Sequence, residues 1–315
     1  LKAGSSGPPP FDGNLAALFP GAYQVLQSDR GLQYGAVMRA DAGNTSSVAF
    51  ALTGATPAVP VPIWIRGVTG TTANIYYDGL GITPAMSGVA VMDSVNIVLT
   101  GAGAGMAITP GVGSLVPGNT WRATCSQLAD QSGNGNPATQ LTPAQQPIVA
   151  LGLNGKVELI GDGVDDLLNS PAFLPPVGAM LYLVYRQLTS ASFKYLTDGG
   201  GTGNRRAVFA NFASTEAYNG LSLIGGTLPL NTYGRTWAIY NGAASSVKVG
   251  ANPIASGDAG SNVSGPGRTI MCAGNETSHA NMGLFALIWA PPGPTTIPDA
   301  ALNSAGGYGI GAIAV

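Results

Sequence analysis

The chain has 315 residues, of which 45% are hydrophobic and 9% charged, and its net charge is −2. An average soluble protein is about a quarter charged, so this composition excludes the basic footprint of a nucleic-acid binder and leaves little Lys or Glu for amphipathic helices. The 47 glycines and 23 prolines would mean disorder in a polar chain, but beside so many apolar residues they mark turns between short strands, and an all-β fold is expected.

The opening "LKAGSSGPPP" lacks the apolar core of a signal peptide, and residues 1–12 are read as a flexible arm. Residues 13–122 are read as a first domain, a small β-sandwich. It begins with "NLAALF" at 14–19, enough for one helical turn before Pro20. "SVAFAL" (47–52), "VPIWIR" (61–66), "ANIYYD" (73–78) and "VNIVLT" (95–100) are β-branched or aromatic runs bounded by turn residues. In "ANIYYD" Ala73, Ile75 and Tyr77 take one face, and Asn74, Tyr76 and Asp78 the other. Residues 95–121 carry no charge, yet Gly101, Gly103, Gly105, Pro110 and Pro117 argue against a spanning helix, and no membrane insertion is expected.

Residues 123–315 are read as the second domain. "KVELIGD" (156–162) alternates weakly, whereas "MLYLVYR" (180–186) and "MGLFALIWA" (282–290) are apolar on both faces and read as central strands. Gly283 and the bulky β-formers favour strand over helix in the latter. In "RTWAIYNGAASSVKVG" the Asn241–Gly242 pair predicts a type I′ turn joining strands at 236–240 and 244–249. A short helix is expected at 298–303. Strand runs with long connections indicate a double-sheet jelly roll, and no internal repeat is found.

"DQSGNGNPATQ" (130–140), Gln146–Pro147, "GDGVDDLL" (161–168), "YLVYR", the "YNGAASSVKV" hairpin and a terminal "GGYGIG" follow one another in a set order. That order resembles concanavalin A-like (laminin G-like) jelly-roll domains of bacteriophage structural proteins and bacterial surface proteins. The likeness covers about residues 125–315. "GTTANIYYDGLG" (70–81) with "VPGNTW" (116–121) resembles a small β-sandwich module that precedes such domains in phage surface proteins.

The resemblance implies a place on a virion surface, in a tail, a tail fibre or the decoration of a head. It implies other virion structural proteins as partners, homo-oligomers (a trimer among them), and a host-surface glycan as ligand. The alternative is a secreted bacterial carbohydrate-binding or adhesion module. Family members that hydrolyse glycans carry Glu-x-Asp-x-Glu on one strand. Glu158, Glu216 and Glu276 are far apart here, so no enzymatic activity is expected.

The residues themselves offer few chemical groupings. The single histidine, His279, lies in a polar stretch with no nucleophile elbow in the chain, and reads as a solvated loop side chain. Asp130, Asn134 and Asn136, joined by Asp162 and Asp165 (with Asp166) if the two loops meet, are the oxygen ligands a calcium ion would use. Asx turns, with Gly133 and Gly135 at positive φ, are the favoured alternative. Beyond calcium no cofactor is expected, and zinc lacks a ligand set. Tyr218 and Tyr233, in loop-like segments, are the candidate glycan platforms; Trp237 fits the core. Cys125 and Cys272 either form a disulfide or stay as two buried thiols. "GGGTGNRR" (199–206) lacks the ending and context of a phosphate loop.

Overall fold

The two segments read as central strands are the middle of the larger of two sandwiches. In the computed structural model, which describes residues 15–152, 155–170, 173–200, 206–211, 214–261, 265–273 and 277–291, Asn281–Ala290 lies between Val157–Asp162 and Met180–Gln187. Their burial is near complete on both faces, as expected of runs without alternation. The arm at 1–12, the helix at 298–303 and "GGYGIG" lie outside the described residues.

The protein is all-β. Its larger sandwich pairs an eight-stranded with a nine-stranded antiparallel sheet, in a jelly-roll-like arrangement. The first runs Ile148–Leu151, Val157–Asp162, Asn281–Ala290, Met180–Gln187, Tyr233–Ile239, Ser245–Val249, Ala255–Gly257. The second starts at Leu32–Tyr34 and Cys125–Leu128 and ends at Ser214–Tyr218 and Ser222–Thr227. Leu159, Leu183, Leu284 and Trp289 from one sheet meet Leu168, Leu196, Val208 and Ile270 from the other in a continuous core. A second cluster covers the opposite face of the eight-stranded sheet, where Leu15 and Phe19 pack near Tyr182, Trp237 and Phe285. Leu15 belongs to the predicted single helical turn, Leu15–Leu18.

The smaller sandwich sets a five-stranded sheet (Arg39–Ala40, Thr120–Arg122, Trp64–Gly67, Thr72–Tyr76, Met86–Ala90) on a three-stranded one (Phe50–Gly54, Met106–Pro110, Ile97–Val98). Phe50, Ile65, Ile75, Ile108 and Trp121 fill it, and Phe50 meets the Trp121 ring edge-on at 4.9 Å. Ala73 and Ile75 point inward as the alternation requires.

Two expectations are corrected. The stretch 15–34, assigned to the first domain, is built into the larger sandwich. Gln24–Gln27 pairs with the far half of Asn281–Ala290, Val25 opposite Ile288, and Leu32–Tyr34 pairs with Cys125–Leu128. All four residues of Gln24–Gln27 are buried, which an edge inside a small sandwich would not give. The hairpin strands pair as predicted, Thr236 with Val249 through Ile239 with Ser246, but the turn is longer than two residues. Asn241 has φ −138°, Gly242–Ala244 forms a 3₁₀ turn, and Ser245 Oγ accepts from Asn241 N at 2.9 Å. Tyr240 decides this: its side chain is drawn into the core, where its hydroxyl donates to Ala207 O at 2.8 Å.

Candidate functional site

Four neighbouring strands of the eight-stranded sheet place polar groups in one row on the face opposite the main core. Glu158 stands on Val157–Asp162, Gly283 on Asn281–Ala290, Arg186 on Met180–Gln187 and Tyr233 on Tyr233–Ile239. The register sets the row, with Ile160 opposite Gly283, Gly283 opposite Arg186, and Arg186 opposite Tyr233. A Cβ at Gly283 would collide with the Glu158 carboxylate, so the glycine is the gap through which Glu158 reaches across its neighbouring strand. One carboxylate oxygen pairs with Arg186 Nη2, and the other accepts from the Tyr233 hydroxyl at 2.7 Å. The Arg186 guanidinium also lies 6.0 Å from the centre of the Tyr233 ring, within cation–π reach.

Glu158 is fully buried and Tyr233 half-buried. Arg235 and Trp237 continue the same face, and the Trp237 indole N–H has no hydrogen-bond partner among the described residues. The row offers a half-exposed aromatic ring with a fixed carboxylate and guanidinium beside it. That set of groups can hold a polar ring-shaped ligand by stacking and by charge-assisted hydrogen bonds.

The sequence reading named Tyr233 but placed it in a loop, and it set Glu158 aside and did not single out Arg186. The signal was present in part: a glutamate and an arginine inside otherwise apolar strands need partners. Tyr218 also lies on a strand, Ser214–Tyr218 of the nine-stranded sheet, with its ring 6.4 Å from Phe209. The two tyrosines therefore belong to different sheets and do not form one platform.

The five-residue calcium set is not assembled. Val25 N donates to Asp130 Oδ1 at 2.9 Å, and Val25 stands opposite Ile288, whereas Asp162 stands opposite Asn281. The two loops therefore sit seven residues apart along Asn281–Ala290, roughly 23 Å at strand spacing. The Asp130 carboxylate is filled by amide donors from Val25, Ser132 and Asn136 and by the Ser132 hydroxyl. Asn134 and Asn136 present their Nδ2 groups to the carbonyls of Ala22 and Tyr23, so these side chains donate where a cation would need acceptors. Gly133 and Gly135 have φ of 85° and 72°, as Asx-turn chemistry requires.

Asp162, Asp165 and Asp166 do lie together, with ligand oxygens within 4.8 Å of one another. Both Asp166 oxygens are engaged by Arg39, at 2.5 and 2.9 Å, and Asp166 Oδ2 also accepts from Asp162 N. Burial lowers the Arg39 pKa, but Asp166 together with Asp162 and Asp165 outweighs it and the net shift is upward. Burial raises the Asp166 carboxyl above the usual range, and Arg39 only partly offsets this.

The cysteines do not pair. Cys125 and Cys272 are both free and buried, on different partners: Cys125 Sγ donates to Gln127 O at 3.3 Å, and Cys272 Sγ lies 3.7 Å from His279 Nε2. His279 is not a solvated loop side chain. It is buried, with Nδ1 3.3 Å from Asp166 O, because the polar stretch preceding the central strand folds inward against the Asp162–Asp166 turn. Arg206, the last residue of the glycine-rich "GGGTGNRR", is buried with Nη1 on the Pro175 and Pro176 carbonyls at 2.7 and 2.8 Å.

Comparison with known proteins found no matching family model and no matching curated protein. Seventeen solved chains match. An arabinofuranosidase complexed with arabinofuranosyl-α-1,2-xylobiose aligns at 9% identity and TM-score 0.45, over 93% of this chain and 62% of its own. A GH54 α-L-arabinofuranosidase soaked with 4-nitrophenyl α-L-arabinofuranoside aligns at 11% and 0.43, over 61% and 52%. The Trypanosoma rangeli sialidase aligns at 13% and 0.42, over 72% and 36%. The chain thus spans less than two thirds of the length of each. All three are glycoside hydrolases, and the expectation of a chain without enzymatic activity is corrected on that finding. At these identities and TM-scores the likeness carries no activity across to this chain.

Proposed function

We propose that the chain is a structural protein of a virion surface, in a tail, fibre or head decoration of bacteriophage type. In this reading the smaller sandwich docks on sister copies or neighbouring virion proteins, and the larger, concanavalin A-like sandwich is held outward. The observation that carries it is the surface of the smaller sandwich. Residues 35–123 contain six charged side chains, and four of them are tied down. Arg39 pairs with Asp166, and Arg122 with Asp41. Asp78 accepts from the amides of Leu80, Gly81, Ile82 and Thr83.

Much of what remains outside is apolar: Val59, Ile82, Val98 and Val112 are each at least 65% exposed, and Leu80, Met92 and Val95 are also exposed. Such a surface favours burial against other subunits, and an array of copies turns weak contacts into firm attachment. The outward sandwich would offer the Glu158–Arg186–Tyr233 row to a host-surface glycan.

Immunogold electron microscopy of intact phage particles, with an antibody to the larger sandwich, is expected to label the particle surface at regular positions. Absence of the protein from every particle fraction would overturn the reading in favour of a secreted module.

A further inference from the structure

The outer face of the nine-stranded sheet carries a group of aromatic rings that none of the three hydrophobic cores absorbs. Leu196, Val208 and Ala217 point into the main core, so their strand neighbours Tyr195, Phe209, Glu216 and Tyr218 face away from it. Phe209 belongs to no core, yet it is buried. Around it stand the rings of Tyr195 at 5.3 Å, Phe193 at 5.7 Å and Tyr218 at 6.4 Å. Phe193, in the turn before Lys194–Gly200, is 54% exposed, and Tyr195 and Tyr218 are half-buried.

An acid stands among these rings. The register sets Tyr195 opposite Phe209, Phe209 opposite Glu216, and Glu216 opposite the exposed Ile224, in one row across four strands. Glu216 is only 6% exposed. Its Oε1 accepts from Asn211 Nδ2 at 3.1 Å and from the Ser214 hydroxyl at 3.3 Å, both neutral donors. Asn211 Oδ1 accepts from the Ser192 hydroxyl at 3.3 Å, so one amide holds Glu216 to the turn that carries Phe193. Among the described residues Glu216 Oε2 has no hydrogen-bond partner, and Glu216 joins no ion pair. Two other buried acids, Glu158 and Asp166, are matched by Arg186 and Arg39. A carboxylate held this far from water, with neutral donors on one oxygen alone, attracts a cation.

The kind of cation follows from the groups beside the acid. Aromatic faces attract positive charge, most strongly when that charge gives up its water. A primary ammonium carries three N–H donors that each need an acceptor, and a single carboxylate oxygen serves one of them. A quaternary ammonium needs no hydrogen bond and is held by ring faces together with one negative charge. We infer that Phe193, Tyr195, Tyr218 and Glu216 form a binding site for a quaternary ammonium group of the choline type. The site lies on the other sheet from the Glu158–Arg186–Tyr233 row and is independent of it.

The test titrates choline chloride into the full chain at constant ionic strength and follows the NMR resonances. Saturable shifts are expected at Phe193, Tyr195, Phe209, Glu216 and Tyr218. Dimethylbutanol, the neutral isostere of choline, is expected to bind the native chain about tenfold more weakly, the factor a lost charge interaction of this kind gives. Glu216→Gln is expected to lower choline affinity by about the same factor. Phe193→Ala, at an exposed ring, is expected to lower it several-fold. If Glu216→Gln does not fold, the comparison of choline with its isostere on the native chain still decides. Absence of saturation, equal binding of choline and dimethylbutanol, or full affinity in Glu216→Gln would overturn the inference. So would tighter binding of butylammonium, or saturable binding of maltoheptaose at these residues where choline does not bind.

Discussion

Two loops, one built on Asp130 and one on Asp166, stand at opposite ends of the same central strand and do different physical work. Asp130 spends its carboxylate on backbone amides and so fastens Gln24–Gln27 to the sheet. Asp166 spends its carboxylate on Arg39, a residue of the smaller sandwich, and so ties one sandwich to the other. Both loops read alike in sequence, as Asp- or Asn-bearing turn stretches among glycines. A carboxylate satisfied by N–H donors from nearby chain sets local shape, whereas one satisfied by a distant guanidinium fixes the relation of two domains. The second kind is also the more exposed to failure, since removing one member leaves a buried charge.

That difference predicts unequal losses. Arg39→Met leaves the fully buried Asp166 side chain without its cation and is expected to cost about 3 kcal/mol, the lower end for a buried pair because Arg39 keeps some exposure. Chemical denaturation at neutral pH measures it. Burial already raises the Asp166 carboxyl, and losing Arg39 raises it further. The variant's deficit is therefore full above that raised value and shrinks as pH falls through it, because the protonated acid no longer needs a cation. A deficit that does not vary with pH would mean that Arg39 acts through packing alone.

Asp130→Ala is expected to cost about 2 kcal/mol, since the orphaned amides of Val25, Ser132 and Asn136 are neutral and two of them lie near solvent. The signature is local: amide exchange should speed up in Gln24–Gln27 while Met180–Gln187 keeps its protection. Added calcium or a chelator is expected to leave the melting temperature of the native chain unchanged, because the Asp130 oxygens are already filled. A calcium-dependent rise lost in Asp130→Ala would restore the metal reading.

Much of this was legible in the sequence where the signal is local. Strands apolar on both faces, the helical turn at Leu15–Leu18 and the pairing partners of the hairpin follow from pattern and turn residues. Pattern alone did not reveal contacts set by register between distant strands. Gln24–Gln27 is as apolar as a strand of either sandwich, and only its pairing with 286–289 assigns it. The Asn241–Gly242 dipeptide was overridden because burying the Tyr240 ring outweighs a turn preference. Glu158, Arg186 and Tyr233 are 28 and 47 residues apart in the chain, and only the strand order 157–162, 281–290, 180–187, 233–239 brings them into one row.

A third aspartate loop sharpens the contrast at its mild end. Asp78 is half-buried and pairs with no cation among the described residues, yet its oxygens accept from four successive amides at 2.7 to 3.0 Å. Burial is the largest single influence and works against the charged form, but the four donors together outweigh it, so the carboxyl is held below its ordinary value. A lowered folded pKa contributes stability that is complete above the unfolded value and is lost as pH falls through the folded one. The loop carrying the exposed Leu80 and Ile82 is thus expected to hold its shape at neutral pH and to loosen only in acid below about pH 4. Amide shifts of Leu80 to Thr83 followed through an acid titration should move together. Asp78→Asn should remove that transition and lower global stability by no more than about 1 kcal/mol, because water reaches most of these bonds and replaces the lost acceptor. If the four amides titrate separately, or if Asp78→Asn costs as much as Arg39→Met, the distinction between amide-bound and cation-bound aspartates fails at this site.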